Sequence, residues 1–550
     1  MNNINDFIIE DGVLKKYNGQ DEVITIPKGI TCIGGYAFNK CASIVSVVIG
    51  DEVTCINNGA FSDCINLKNI TISPNVKCIG NNAFGDCTSL VEITIPDEVT
   101  SIGHHAFSGC SSLTKVQLPS GIDRISSYLF CGCGNLENID IPYGVTSVEE
   151  AAFSLCKSLK SIKIPDSVTY IGDNAFGFCE CLAEITMPEG ITRIGEGAFW
   201  RCDNIIYNEY DNAYYCGNEA NPFVVLMAAK NKEIPSCAIH ENTKVIYHGA
   251  FWRCANLESI KIPMGVVSIG DCAFLECEQL ETVNIPNSVT RIGKSSFDGT
   301  KVVFTKSDIP DSVTEIGDFT IEDGVLTKFS GKGADRVVIP ITVTAIGDRV
   351  FSHKEILSVK IPDSVTSIGA YAFSDNVYLR GVTIPASVTS IGEGAFYNCR
   401  ALSDVGINAS IDTLEAKTFS QCYNLVYVTL PNTLKSIKDK AFQLCRKLQS
   451  INMPESLENI GEAAFSACEK LPNLILPNSL KNIGADAFYG CKSIRNLTVP
   501  NSVKAIGQSA FNDCGGLKKV HYIGTEEEFE KIDIGSINEY FLFAKRTYLE

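Results

Sequence analysis

The chain has 550 residues, a formal net charge of −18, 45% hydrophobic and 20% charged residues. Such an average charge repels a polyanion, so nucleic acid is not expected as a partner. No apolar run approaches the ~18 residues of a membrane span, so no membrane insertion is expected either.

In chain order, the first eleven residues read MNNINDFIIED. They lack the basic and long apolar regions of a secretory leader. Residues 1–27 read as an amino-terminal cap, because the exposed end of a stacked array needs a polar cover. Residues 28–202 then repeat on a fixed clock: Phe38, Phe61, Phe84, Phe107, Phe130, Phe153, Phe176 and Phe199 stand 23 residues apart. Residues 90–110, LVEITIPDEVTSIGHHAFSGC, display the chemistry of one unit. Leu90, Ile93 and Ile95 alternate as a short strand does, and Pro96 ends it because it cannot donate to a ladder. Val99, Ile102, Ala106 and Phe107 are further inward anchors. Gly103 permits a backbone angle or close approach that a side chain would block. One unit cannot bury its apolar face alone, whereas stacked units bury a continuous core. A cysteine sits three residues after most anchor phenylalanines, as in Cys41, Cys64, Cys87 and Cys110. A small buried hydrophobe explains this placement; a ladder of disulfides or metals is the alternative.

Residues 203–238 interrupt the clock with extended segments at 205–209, 213–216 and 223–228, divided by Asp211-Asn212 and Gly217-Asn218. The two tryptophans of the chain, Trp200 and Trp252, flank this aromatic insertion at the same repeat position, each followed by an arginine, Arg201 and Arg253. That position is elsewhere small and polar, as in Ser108 and Gly177, so the tryptophans need either cover or a ligand. The inserted ribbon packing over them is one reading. The other is a recognition patch of Trp200, Arg201, Tyr207, Tyr210, Tyr214, Tyr215, Trp252 and Arg253, since aromatics with arginine favour binding hot spots.

Residues 239–317 resume the array with Phe251, Phe274 and Phe297. Residues 318–345 form a second cap-like segment: DFTIEDGVLTKFSGKGADRVVIP at 318–340 nearly copies DFIIEDGVLKKYNGQDEVITIP at 6–27. A seam between two arrays is expected there. Residues 346–519 carry the second array, from Phe351 and Phe373 through Phe396 to Phe511. Residues 520–550 leave the repeat as a carboxyl-terminal cap, with Thr525 and Glu528 placed for a capping box. About twenty rungs at ~4.8 Å each make a rod or arc of about 100 Å. Along the strands, Thr71, Thr94, Gln117, Asp140, Lys163 and their equivalents form a polar outward row that names no ligand.

The pattern I-x-I-P-x-x-V-T-x-I-G-x-x-A-F-x-x-C resembles the BspA-like class of leucine-rich repeats. Residues 162–179, IKIPDSVTYIGDNAFGFC, and residues 382–399 carry it almost unchanged. The 23-residue period lies inside the leucine-rich-repeat range. The resemblance implies a right-handed superhelical repeat solenoid with short parallel strands on one face. It also implies a protein of bacteria or protozoan parasites, at the cell surface or secreted, acting in adhesion or host contact. The opening residues point instead to a cytoplasmic setting and an intracellular interaction scaffold, which is the alternative.

Catalysis is not expected. The six histidines, His104, His105, His240, His248, His353 and His521, are scattered through different units. No hydrolase elbow, phosphate loop or paired-histidine zinc motif occurs. Cys237 with His240 and His248 is the one place where a metal could be imagined; the default is an ordinary exposed pair. No cofactor and no metal are expected. The expected chain is a monomer with a protein or glycan ligand.

Overall fold

The computed structural model describes residues 2–331 and 336–549. The chain divides into two compact units, Met1–Phe304 and Thr305–Glu550. Both are stacks of the same rung, with two parallel ladders and a turn edge.

The first ladder is the strand read from the sequence. Glu92–Thr94 pairs in parallel with Lys115–Gln117, Ile93 opposite Val116. Ile93 and Ile95 are buried while Thr94 faces solvent, as a pleat of period two requires. The second ladder runs through two-residue strands that end just before the repeat glycine. Ser101–Ile102 pairs in parallel with Cys78–Ile79. So short a strand leaves no alternation to read, and the sequence alone resolves only the first ladder. The glycine after it is set by crowding: a Cβ on Gly172 would lie 2.5 Å from the Glu150 amide nitrogen of the preceding rung.

The turn edge carries the anchors. The Phe84 N–H donates to the Ala106 carbonyl of the next rung at 2.8 Å. Asn82 N–H and Asp86 N–H, on either side, donate to His104 and Ser108. Both flanking residues are left-handed, with φ of 54° and 58°. The rings stack into a column, with 5.3 Å between the Phe61, Phe84 and Phe107 centroids and planes within 2°. A fully buried phenylalanine in such a column touches its neighbours on both faces, so each rung braces the next.

The cysteines of this edge make a specific bond. The Cys64 thiol donates to the Phe38 carbonyl at 3.1 Å, and Cys110 donates to Phe84 at 3.2 Å. Each thiol therefore satisfies the anchor carbonyl of the preceding rung. In the Phe373 rung, which lacks the cysteine, Asn376 takes its place, donating to Phe351 and Phe373 at 2.8 Å each. Burial pushes the Cys110 and Cys422 thiols up to about 12. A single disulfide among the described residues joins Cys32 to Cys55 across the second ladder of the first two rungs. It lies outside the thiol column; its sequence signal is the 23-residue step from Cys32 through Cys55 to Cys78.

Hairpins begin the stack in each unit. Phe7–Glu10 pairs antiparallel with Val13–Tyr17, turning at Asp11 and Gly12 with φ of 48° and 74°. Two positive-φ residues in a two-residue loop match the right-handed twist of the strands. Tyr17 donates its N–H to Ala37, and the Phe7 and Tyr17 rings extend the column to Phe38. In the second unit, Phe319–Glu322 and Val325–Phe329 repeat this hairpin, and their rings lead to Phe351. Residues 332–335 of that segment lie outside the described residues. At the carboxyl end, Lys519–Ile523 and Lys545–Leu549 extend the first ladder. Thr525 and Glu528 form a capping box on the short helix Glu526–Phe529, and the Phe541 ring stacks 5.1 Å from Phe511.

Candidate functional site

In the first unit the regular turn edge stops at Phe199. The next 23-residue step would place a rung near residue 222, where the chain instead builds an antiparallel sheet. Asn208–Tyr210 pairs with Ala213–Cys216, which pairs with Val225–Ala229. The last of these rejoins the second ladder in parallel with Val245–Ile246. Ala229 then donates its N–H to Ala250, as Tyr17 does to Ala37 at the first hairpin.

The consequence is a break in the turn edge between Phe199 and Phe251. By the rule of the other rungs, the N–H groups of Gly197, Phe199 and Arg201 would donate to His248, Ala250 and Trp252. Ala250 is taken by Ala229, and the Phe199 N–H donates instead to the Tyr247 phenol oxygen at 3.2 Å. Among the described residues, the Gly197 and Arg201 N–H groups have no acceptor, and the His248 and Trp252 carbonyls have no donor. The buried Nδ1 atom of His248 has no partner either.

This break is a cleft of about 630 Å³ whose walls include Trp200, Arg201, Tyr247, His248, Trp252 and Leu275. Trp200 is 56% exposed and Trp252 40%. Trp252 is braced by two cations, Lys232 at 5.1 Å and Arg253 at 4.8 Å from its ring centroid. Arg253 is held in turn by Glu276 at 2.6 Å. Arg201 and Arg253 both sit at the left-handed position of their rungs, with φ of 61°. That conformation turns the chain straight after each tryptophan.

The structure brings Trp200, Arg201 and Trp252 together in the cleft, with Arg253 over the Trp252 ring. The tyrosines of the insertion go elsewhere. Tyr215 is fully buried, and its hydroxyl accepts the His240 N–H. Tyr210 stands edge-on to His240 at 4.8 Å. Tyr207 pairs with Tyr214 at 5.4 Å, and Lys230 lies over Tyr214. His240 is stacked on Phe223 at 4.0 Å, which leaves it a packing partner of the inserted sheet. Tyr247 and His248 complete the cleft; sequence reasoning weighed His248 only for a metal and missed Tyr247, although Tyr247 departs from the small or polar residues usual at that step, Asn57, Gly80 and Gly103.

A model of the BspA type leucine-rich repeat region, in six copies, matches residues 9–100, 79–206, 244–330, 320–447 and 412–532. No curated protein matches the chain. Among solved structures, the chain is similar to a leucine-rich repeat protein from Bacteroides ovatus, with 25% identity over 86% of this chain and 88% of that one and a TM-score of 0.31. It is also similar to a leucine rich cell surface protein from Faecalibacterium prausnitzii, with 23% identity, coverage of 96% and 95%, and a TM-score of 0.22. A leucine-rich repeat protein from Eubacterium ventriosum shares 19% identity, with coverage of 86% and 91% and a TM-score of 0.23. With repeat matches running through both units and the anchor column beneath them, the chain belongs to the BspA type leucine-rich repeat family.

Proposed function

We propose that this chain is a non-catalytic recognition scaffold that binds a protein or glycan ligand in a cell-surface setting such as adhesion or host contact. One observation carries the reading: both tryptophans of the chain stand solvent-exposed in the walls of a single cleft. Exposed tryptophan beside arginine is the composition of binding hot spots. The cleft sits on stacked rungs, so its walls are fixed before any ligand arrives, which lowers the ordering cost of binding. The surface setting rests on the family alone. Cys110 and Cys422 support a non-catalytic role, because burial raises their pKa and a thiol, not a thiolate, is a poor nucleophile.

The test is a glycan and matrix-protein array probed with the wild-type chain and with a Trp200→Ala/Trp252→Ala double variant. Binding that disappears in the folded double variant places recognition in the cleft. Binding that persists moves it to the polar row along the first ladder. An array without any hit overturns the adhesive reading.

A further inference from the structure

We propose that the cleft takes an extended polypeptide segment of a partner protein, whose backbone completes the interrupted turn-edge ladder. The inference rests on the recognition reading above and names its ligand class.

From the Phe38 rung to the Phe176 rung along this edge, three N–H groups of one rung meet three carbonyls of the next. At the cleft the middle pair is diverted, Phe199 to the Tyr247 hydroxyl and Ala250 to Ala229. The two outer pairs are left open. One wall therefore presents the N–H groups of Gly197 and Arg201, and the opposite wall presents the carbonyls of His248 and Trp252. Donors on one wall and acceptors on the other are what an amide chain satisfies, because each of its residues carries a carbonyl and an N–H. The same logic lets an added strand bind a free sheet edge. Backbone groups give affinity in that mode, and pockets for side chains give selectivity.

The side-chain pocket is present. Trp200 has no aromatic or cationic partner over its ring among the described residues, whereas Lys232 and Arg253 lie over the Trp252 ring. Leu275 lines the same space. An apolar or aromatic side chain of the segment would pack on the exposed Trp200 ring.

A carbohydrate could also stack on tryptophan. It does not carry donors and acceptors at backbone spacing, so it would use the rings and leave the amides as they are. That difference decides the test. A phage-displayed library of linear peptides is selected on the full chain, and enriched peptides are synthesised and titrated. Hydrogen–deuterium exchange is followed over residues 196–202 with and without peptide. A glycan array is run in parallel. The expected result is a peptide with an apolar or aromatic residue that binds at least ten-fold more weakly to Trp200→Ala. It also slows amide exchange in residues 196–202. Leu275→Arg, which fills the cleft from another rung, should weaken the same peptide; thermal melts confirm that both variants remain folded. Peptides that bind Trp200→Ala equally well, or that leave exchange unchanged, overturn the proposal. So does a selection that yields none. Glycans that need Trp200 while no peptide does would preserve recognition at the cleft and overturn the peptide inference. No binder of either kind would overturn both.

Discussion

Tyr247 and Phe199 meet twice: the phenol oxygen accepts the Phe199 N–H at 3.2 Å, and the two rings lie 5.9 Å apart at 58°. A side chain thus stands where the next rung's carbonyl and ring stand elsewhere in the array. Tyr247→Phe keeps the ring and removes the acceptor from a buried N–H. The expected cost is about 1–3 kcal/mol, the penalty for a buried donor left unmade. A shift of the urea midpoint at unchanged slope would register it; an unmoved midpoint would mean that the hydroxyl is not needed to close the break.

Anchor and cleft aromatics should respond oppositely to truncation. Phe107 is buried between Phe84 and Phe130 at 5.3 Å and 5.7 Å. Phe107→Ala should lower stability by about 3–5 kcal/mol. Trp200→Ala should stay within about 0.5 kcal/mol, as for a surface side chain. Equilibrium unfolding of the two variants side by side separates packing from recognition.

Asn376 offers a test of the thiol column. Its amide donates to the Phe351 and Phe373 carbonyls, and its oxygen accepts the Ile356 N–H at 3.2 Å. Asn376→Ala strands these groups and should cost about 1–3 kcal/mol or more. Asn376→Cys restores the donor to Phe351 that other rungs use and should recover part of the loss. Equal stability of the two variants would show that volume alone matters at this position.

Buried thiols also set the alkaline limit of the fold. Cys110 and Cys422 are raised to about 12 in the folded chain from an ordinary value of 9.0. A group raised on folding contributes fully below its unfolded value and loses that contribution as pH rises towards its folded value. Stability should therefore be flat with respect to these thiols below about pH 9 and fall between about 9 and 12, by about 1.4 kcal/mol per pH unit for each such thiol. Melts across pH 8 to 11 check the sign. At pH 8, a maleimide should label exposed Cys181 first and reach Cys110 only after unfolding; early labelling of Cys110 would contradict its burial.

Much of this architecture was legible because each rung repeats the same burial problem. The spacing of Phe84, Phe107 and Phe130 located the column, and the Ile93/Ile95 alternation located one ladder. The second ladder was not legible, since Ser101–Ile102 is too short to show a period. Nor was the left-handed backbone at His105 or Arg201, where no glycine announces it. The cysteine column read as packing and proved to carry a hydrogen bond as well, because one thiol serves as both small hydrophobe and weak donor. At the cleft, Trp200 and Trp252 stood out as departures from their repeat position. The tyrosines did not sort themselves: strand pleating sends Tyr215 inward and leaves Tyr214 half-buried, a distinction that depends on the register of the inserted sheet. Tyr247 also departs from its repeat position, but its role follows only from the Ala250 carbonyl being committed elsewhere.

The Cys64–Phe38 bond, repeated along both units, has a bearing on where such a chain can work. Sulfur that is dry, protonated and already engaged with a carbonyl is hidden from oxidants and reductants alike. The turn edge would remain the same in an oxidising medium and in a glutathione-buffered one, whereas the Cys32–Cys55 bond across the second ladder would not. Cysteine at this edge is a packing and hydrogen-bonding residue, and the one disulfide among the described residues lies outside it.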